Sequence, residues 1–252
     1  MNPLSQVLKG FRMNDYKRVS YVMHLLHDGV IGSHHFPVSD QIERIVDKID
    51  KFYEGEDKES VITAAYLHKS FERKLIKPKF FETNNDLPFG YNELKRLFGE
   101  ASARIVFLLS TEPNDTPVNG SISTATTMDL AKQRWCRENP DIKTNNMSEK
   151  ELAASAVALW AKELPTQAQV ILLAQNWQYF ELSRDRPNIR RPFSWSREEY
   201  RLRMFTVDAI QDSCPKMYQE CLTAKKEALR TIDLIESTVL EERKKLQRGK
   251  HE

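Results

Sequence analysis

Glycine is scarce in this chain, with 8 residues in 252, and proline occupies only 11 positions. So few turn-formers exclude a fold of many short strands and point to long helices. Long apolar runs are missing as well. The longest, such as ARIVFLLS and AQVILLAQ, fall far short of the roughly 20 apolar residues that span a bilayer. Charge of one sign does not dominate: the net charge of +2 is too small to imply a nucleic-acid surface. The opening residues, MNPLSQVLKGFRMNDYKR, lack the apolar segment of a signal peptide, so a cytoplasmic protein is expected. Three cysteines (Cys136, Cys214 and Cys221) are odd in number and lack metal spacing, and they read as reduced thiols. There is no glycine-rich phosphate loop, G-x-S-x-G, H-E-x-x-H or paired C-x-x-C.

What is present is helical periodicity along nearly the whole chain. Val19, Val22, Met23 and Leu26 form one apolar stripe; Ile42, Ile45, Val46 and Ile49 form a second. A third runs through Val61, Ala64, Ala65, Leu67, His68 and Phe71, and a fourth from Leu94 to Leu109. The pattern continues over 152–164, 167–182, 197–212 and 215–243. Ser148, with Glu151 three residues on, predicts a capping box before the first of these later helices. Alternating strand patterns are nearly absent. The expected fold is an all-α bundle of about nine or ten helices in one domain over residues 1–230. Residues 231–252 form a charged helical extension, in which Ile232, Ile235, Val239, Leu240 and Leu246 could pack on a partner or a second copy of the chain. Two segments, 77–90 and 111–124, are rich in turn residues and read as loops.

Chemistry rests on histidines. His24 and His27 are three apart, hence on one helix face, a spacing that suits a transition metal or leaves one of them a polar edge residue. His34 and His35 precede Pro37 in a turn and make a weak chelate. His68 ends an apolar run, where a lone histidine is usually a hydrogen-bonded core residue. Lys69 beside it disfavours a divalent cation through like-charge repulsion, and Glu72, one turn on, is the nearest carboxylate.

The segment order carries a further signal. HDGVIGSHHFPVSDQIERIVDKI, VITAAYLHKSFER, GYNELKRLFGEASARIVFLLST, AQVILLAQNWQYFELSRD and the stretch opening WSREEYRLRMF follow one another. Over about residues 16 to 230 this series resembles the hydrolase domain of the RelA/SpoT family, most closely its small stand-alone members. LFGEASARIVFLLS and WSREEYRLRMF are its most specific parts. The resemblance implies an HD-type helical fold and removal of the 3′-pyrophosphate of (p)ppGpp with a manganese ion. It also assigns positions. His27 matches the early metal histidine and His68 the histidine of the histidine–aspartate doublet, but Lys69 stands at the doublet's aspartate and Gln175 at the last aspartate ligand. Glu72 matches the first of the catalytic acidic pair, Arg73 replaces the second, and Tyr179 replaces the asparagine that contacts nucleotide. The basic cluster that grips guanine and phosphate is replaced by DGVIG.

Hard cations need anionic oxygens to offset their desolvation. With both carboxylate ligands lost, the expectation is a catalytically inactive pseudo-hydrolase with no cofactor. It would bind a protein partner or a nucleotide in a pocket that includes Lys69, Arg73, Gln175 and Tyr179, with neither nucleic acid nor membrane as partner. The alternative is a divergent, active Mn²⁺ phosphohydrolase using His24, His27, His34 or His35, His68 and Glu72. The connector at 77–90 is longer than the family's, and Phe80, Phe81, Leu87 and Phe89 in it would plug the pocket or meet a partner.

Overall fold

A computed structural model describes residues 16–70, 91–109, 148–187 and 192–248. Nine α-helices carry the described fold: α1 (Tyr16–His27), α2 (Val38–Phe52), α3 (Lys58–Leu67), α4 (Tyr91–Phe98), α5 (Glu100–Leu109), α6 (Glu149–Glu163), α7 (Thr166–Asp185), α8 (Phe193–Ala209) and α9 (Pro215–Arg248). Short 3₁₀ turns lie at Ser33–His35 and Gln211–Ser213. Among the described residues there is no strand, only an isolated bridge between Ile31 and Pro37. The protein is an all-α helical bundle, as its periodicity predicts. None of the described helices is long and apolar enough to cross a membrane.

Two helices are buried deepest. In α3 every residue from Val61 to Leu67 is buried, because Val, Ile, Ala, Tyr and Leu leave no polar stripe to turn toward water. The one-faced stripe expected there is thus enclosed on all sides over 61–67, by α1, α2, α5 and α7, while Glu59 in the first turn is exposed. The second, α7, buries Val170, Ile171, Leu173, Ala174, Trp177, Phe180 and Leu182 and packs on α2, α8 and α9. The outer helices are amphipathic. In α2, Val38, Ile42, Ile45, Val46 and Ile49 face inward, while Asp40, Asp47, Asp50 and Lys51 are exposed.

The stripe from Leu94 to Leu109 is not one helix. Gly99 takes φ 87°, a left-handed conformation favoured by glycine, and divides it into α4 and α5. The predicted capping box is formed at α6: the Glu151 N–H donates to Ser148 Oγ (3.2 Å), and the Ser148 N–H donates to the Glu151 carboxylate (2.9 Å). Residue 231 falls inside α9, which runs unbroken from Pro215 to Arg248. Met217, Cys221, Ala224, Ala228 and Ile232 form its buried face. Cys214 and Cys221 are buried free thiols, in keeping with reduced cysteines, and burial pushes the Cys221 thiol up to about 12. Cys136 and the two predicted loops lie outside the described residues.

Leu67, 1% exposed at the inner end of α3, tests how far the fold leans on that helix. Leu67→Ala is expected to lower stability by about 2–5 kcal/mol in denaturant titration, against about 1 kcal/mol for Ser148→Ala at the peripheral cap.

Candidate functional site

The ends of α1 and α3 bring His27 and His68 together at 0% and 1% exposure. His68 sits at the C-cap of α3, with its Nδ1 2.5 Å from the Ala65 carbonyl oxygen. A carbonyl only accepts, so Nδ1 carries the proton and Nε2 presents a lone pair. That Nε2 is buried and has no hydrogen-bond partner among the described residues; the same holds for Ser70 Oγ. Burial above all, then the Lys69 ammonium and His27, hold the His68 imidazole well below its ordinary value, although the bond to Ala65 acts the other way. His68 is therefore a neutral core histidine with one nitrogen hydrogen-bonded and the other open.

His24 and His27 divide the roles that their spacing allows. His27 points into the core. His24 is exposed and pairs through Nε2 with Glu43 Oε1 at 3.2 Å. Glu43 also accepts from Ser20 (2.9 Å) and from Tyr66 (3.1 Å), so it ties α1, α2 and α3 together. Lys69 is half-buried beside His68. Gln175 is half-buried on α7, one turn before Tyr179. Glu72, Arg73, Phe80, Phe81, Leu87 and Phe89 lie outside the described residues. Among the described residues no three His, Cys, Asp or Glu side chains gather to hold a metal ion. Two buried imidazoles with an ammonium on their flank do not fit a hard cation such as manganese.

Tyr179 belongs to a second cluster, which joins α7, α8 and the 33–35 turn. The Arg203 guanidinium lies 3.5 Å from the centre of its ring. Arg203 also pairs with Glu199 Oε1 (3.2 Å) and donates to Asn176 Oδ1 (3.5 Å). Burial raises the Tyr179 phenol above its ordinary value; the Glu199 carboxylate adds to this and Arg203 opposes it. His34 meets the Tyr179 ring edge-on at 5.0 Å, and Tyr200 packs against the same ring. The His34 imidazole contacts Ser183 Oγ through Nε2 (3.2 Å) and the Arg186 carbonyl through Nδ1 (3.4 Å).

Sequence reasoning missed Arg203, Glu199, Asn176 and Ser183. The i,i+4 pairs Glu199/Arg203 and Tyr179/Ser183 were the signal available, but only the packing of α8 on α7 joins them. The turn itself is strained. His34 (φ 55°, ψ 25°) and His35 (φ 56°) are left-handed without being glycine, at a cost of roughly 1–2 kcal/mol per residue. It is held by Gly32 N–H to the Phe36 carbonyl (2.8 Å), Val38 N–H to the Val30 carbonyl (2.9 Å) and Arg186 to the His35 carbonyl (3.1 Å). The Phe36 ring lies against the guanidiniums of Arg44 (4.7 Å) and Arg186 (4.5 Å).

The depressed His68 value has a sign in stability. Below about 6.5 the unfolded chain takes up a proton that the folded site refuses, so the stability that His68 contributes is full above that pH and declines on acidification. In urea titrations at successive pH values, His68→Leu is expected to flatten this acid-side decline, whatever it costs at neutral pH.

Comparison of the chain with protein-family models and with curated proteins finds no match to either.

Proposed function

We propose that this protein is a degenerate relative of the RelA/SpoT-type HD hydrolases that binds a protein partner or a nucleotide in the cytoplasm without cleaving it. The observation that carries this reading is the buried His27–His68 pair with Lys69 on its flank. Both histidines match metal-binding positions of that family, and Lys69 and Gln175 stand where it has the carboxylates that would offset a hard cation's charge. A metal-bound hydroxide is the family's route to attack on phosphorus at neutral pH, and the described donors do not suit such a metal.

Several features support binding instead. Gln175 and Tyr179, one turn apart on α7, offer an amide and an aromatic ring on one flank, and Arg203 covers that ring. Leu234 (68% exposed) and Leu240 (49%) on α9 offer apolar surface to a protein, a second copy of the chain included.

A divergent phosphohydrolase is the second reading, and one observation favours it. The proton on His68 Nδ1 leaves Nε2 with the lone pair that a metal would take. Glu72 would then be the first carboxylate to recruit.

The deciding assay incubates the purified full chain with ppGpp and Mn²⁺ and follows pyrophosphate release. No turnover is expected. Turnover that His68→Ala abolishes would overturn the pseudo-hydrolase reading. Activity gained by Lys69→Asp combined with Gln175→Asp would identify the two missing carboxylates as the reason for inactivity. Calorimetry with ppGpp, without metal, separates a nucleotide-binding protein from one that meets only a protein partner.

A further inference from the structure

The described arginines within α7 and α8 are saturated. Arg184 pairs with Glu227 (2.6 Å), Arg197 with Asp233 (2.7 Å), Arg201 with Glu151 (2.8 Å) and Arg203 with Glu199 (3.2 Å). Arg186, one residue past α7, differs. It is exposed, and its described hydrogen bond goes to the His35 carbonyl, an uncharged acceptor. Arg44 on α2 differs too. Its side chain is 39% exposed, and Asp185 Oδ2 stands 3.9 Å away, beyond hydrogen-bond distance. The other oxygen of that carboxylate is already engaged by Arg184 at 2.9 Å. Among the described residues, neither Arg44 nor Arg186 has a carboxylate within hydrogen-bond reach.

The two guanidiniums are nevertheless brought to one place. The Phe36 ring holds Arg44 at 4.7 Å and Arg186 at 4.5 Å from its centre. Two like charges gathered on one ring repel each other, and a shared anion would turn that repulsion into attraction. The turn between α1 and α2 is built to present the ring. The Gly32 N–H (2.8 Å) and Gln41 Nε2 (3.0 Å) both donate to the Phe36 carbonyl. The left-handed His34 and His35 set the His35 carbonyl against Arg186. Left-handed backbone outside glycine is a strain that clusters at ligand clamps.

We propose that Arg44 and Arg186 form an anion clamp for the terminal phosphate of a phosphate monoester, with Phe36 as its platform. The donors select the ligand. A guanidinium presents five N–H groups. Arg44 gives none of them to described residues, and Arg186 gives one, to the His35 carbonyl. A carboxylate has two oxygens and fills a single fork. A terminal phosphate has three oxygens and close to two negative charges, enough to meet two forks that come from separate elements. The clamp uses none of the residues on which the pseudo-hydrolase reading rests, so the two stand or fall independently.

The test is an NMR titration of the isotopically labelled full chain with sodium phosphate, balanced by sodium chloride so that ionic strength stays constant. The Nε–H signals of Arg44 and Arg186 and the amide of Phe36 report the clamp. Saturable shifts at all three are expected, and methyl phosphate is expected to reproduce them. Arg44→Gln removes no hydrogen bond among the described residues, so the fold is retained, and phosphate binding is expected to weaken about tenfold or more. Arg201→Gln, at a fork already filled by Glu198 and Glu151, is expected to leave binding unchanged. Shifts that grow without saturating would mean general ionic screening and overturn the clamp. Phosphate binding retained in full by Arg44→Gln would do the same. If inorganic phosphate binds and methyl phosphate does not, the site takes the free ion and the monoester assignment falls.

Discussion

The burial of α3 from Val61 to Leu67 is the constraint on which the other helices depend. From Val61 to Leu67 the helix has no face turned to water, so α1, α2, α5 and α7 close around it. The position of each of these is then set by what it covers. The polar groups at the end of α3 follow from the same fact. His68 and Ser70 are deep inside because the helix that leads to them is, and the desolvation of His68 is a consequence of where α3 runs. The chemistry of the candidate site is thus inherited from packing. A histidine so placed is neutral, fixed in tautomer by the carbonyl one turn behind it, and exposed electrostatically to whatever charge comes next in sequence, which here is Lys69.

Two polar clusters of different character result. In the one around His27 and His68, His68 Nε2 and Ser70 Oγ have no hydrogen-bond partner among the described residues. The one around Tyr179 and Arg203 is connected through rings, a guanidinium, a carboxylate and an amide, which gives it rigidity. Only the second joins three separate elements of the fold.

The sequence disclosed elements better than it disclosed their association. Strong periodicity located the helices, and the Ser148–Glu151 spacing specified a cap that is formed as expected, because both signals are local in the chain. The break at Gly99 was missed since apolar spacing continues across it, whereas a single backbone angle ends the helix. The enclosure of α3 over 61–67 was read as one stripe because the helices that cover its other faces come from distant parts of the chain. His24 and His27 share a spacing that permits either a chelate or a division of labour, and Glu43 settled it from another helix. Arg203 is 24 positions from Tyr179, and no period in the sequence links an arginine on one helix to a phenol on another.

The length of α9 has a mechanical meaning. Its first half lies in the core along α7, and the Arg197 clasp on Asp233 (2.7 Å) and Glu236 ties its middle to the start of α8. At 1.5 Å per residue, 34 residues make a rod of about 51 Å. Beyond Glu236 its described ion pairs and side-chain hydrogen bonds are internal to the helix. A rod clamped along half its length acts as a lever. Any load on its far end is delivered as torque to α7, which Glu227 of the rod grips through Arg184 (2.6 Å), so position at one end and packing at the other are mechanically linked.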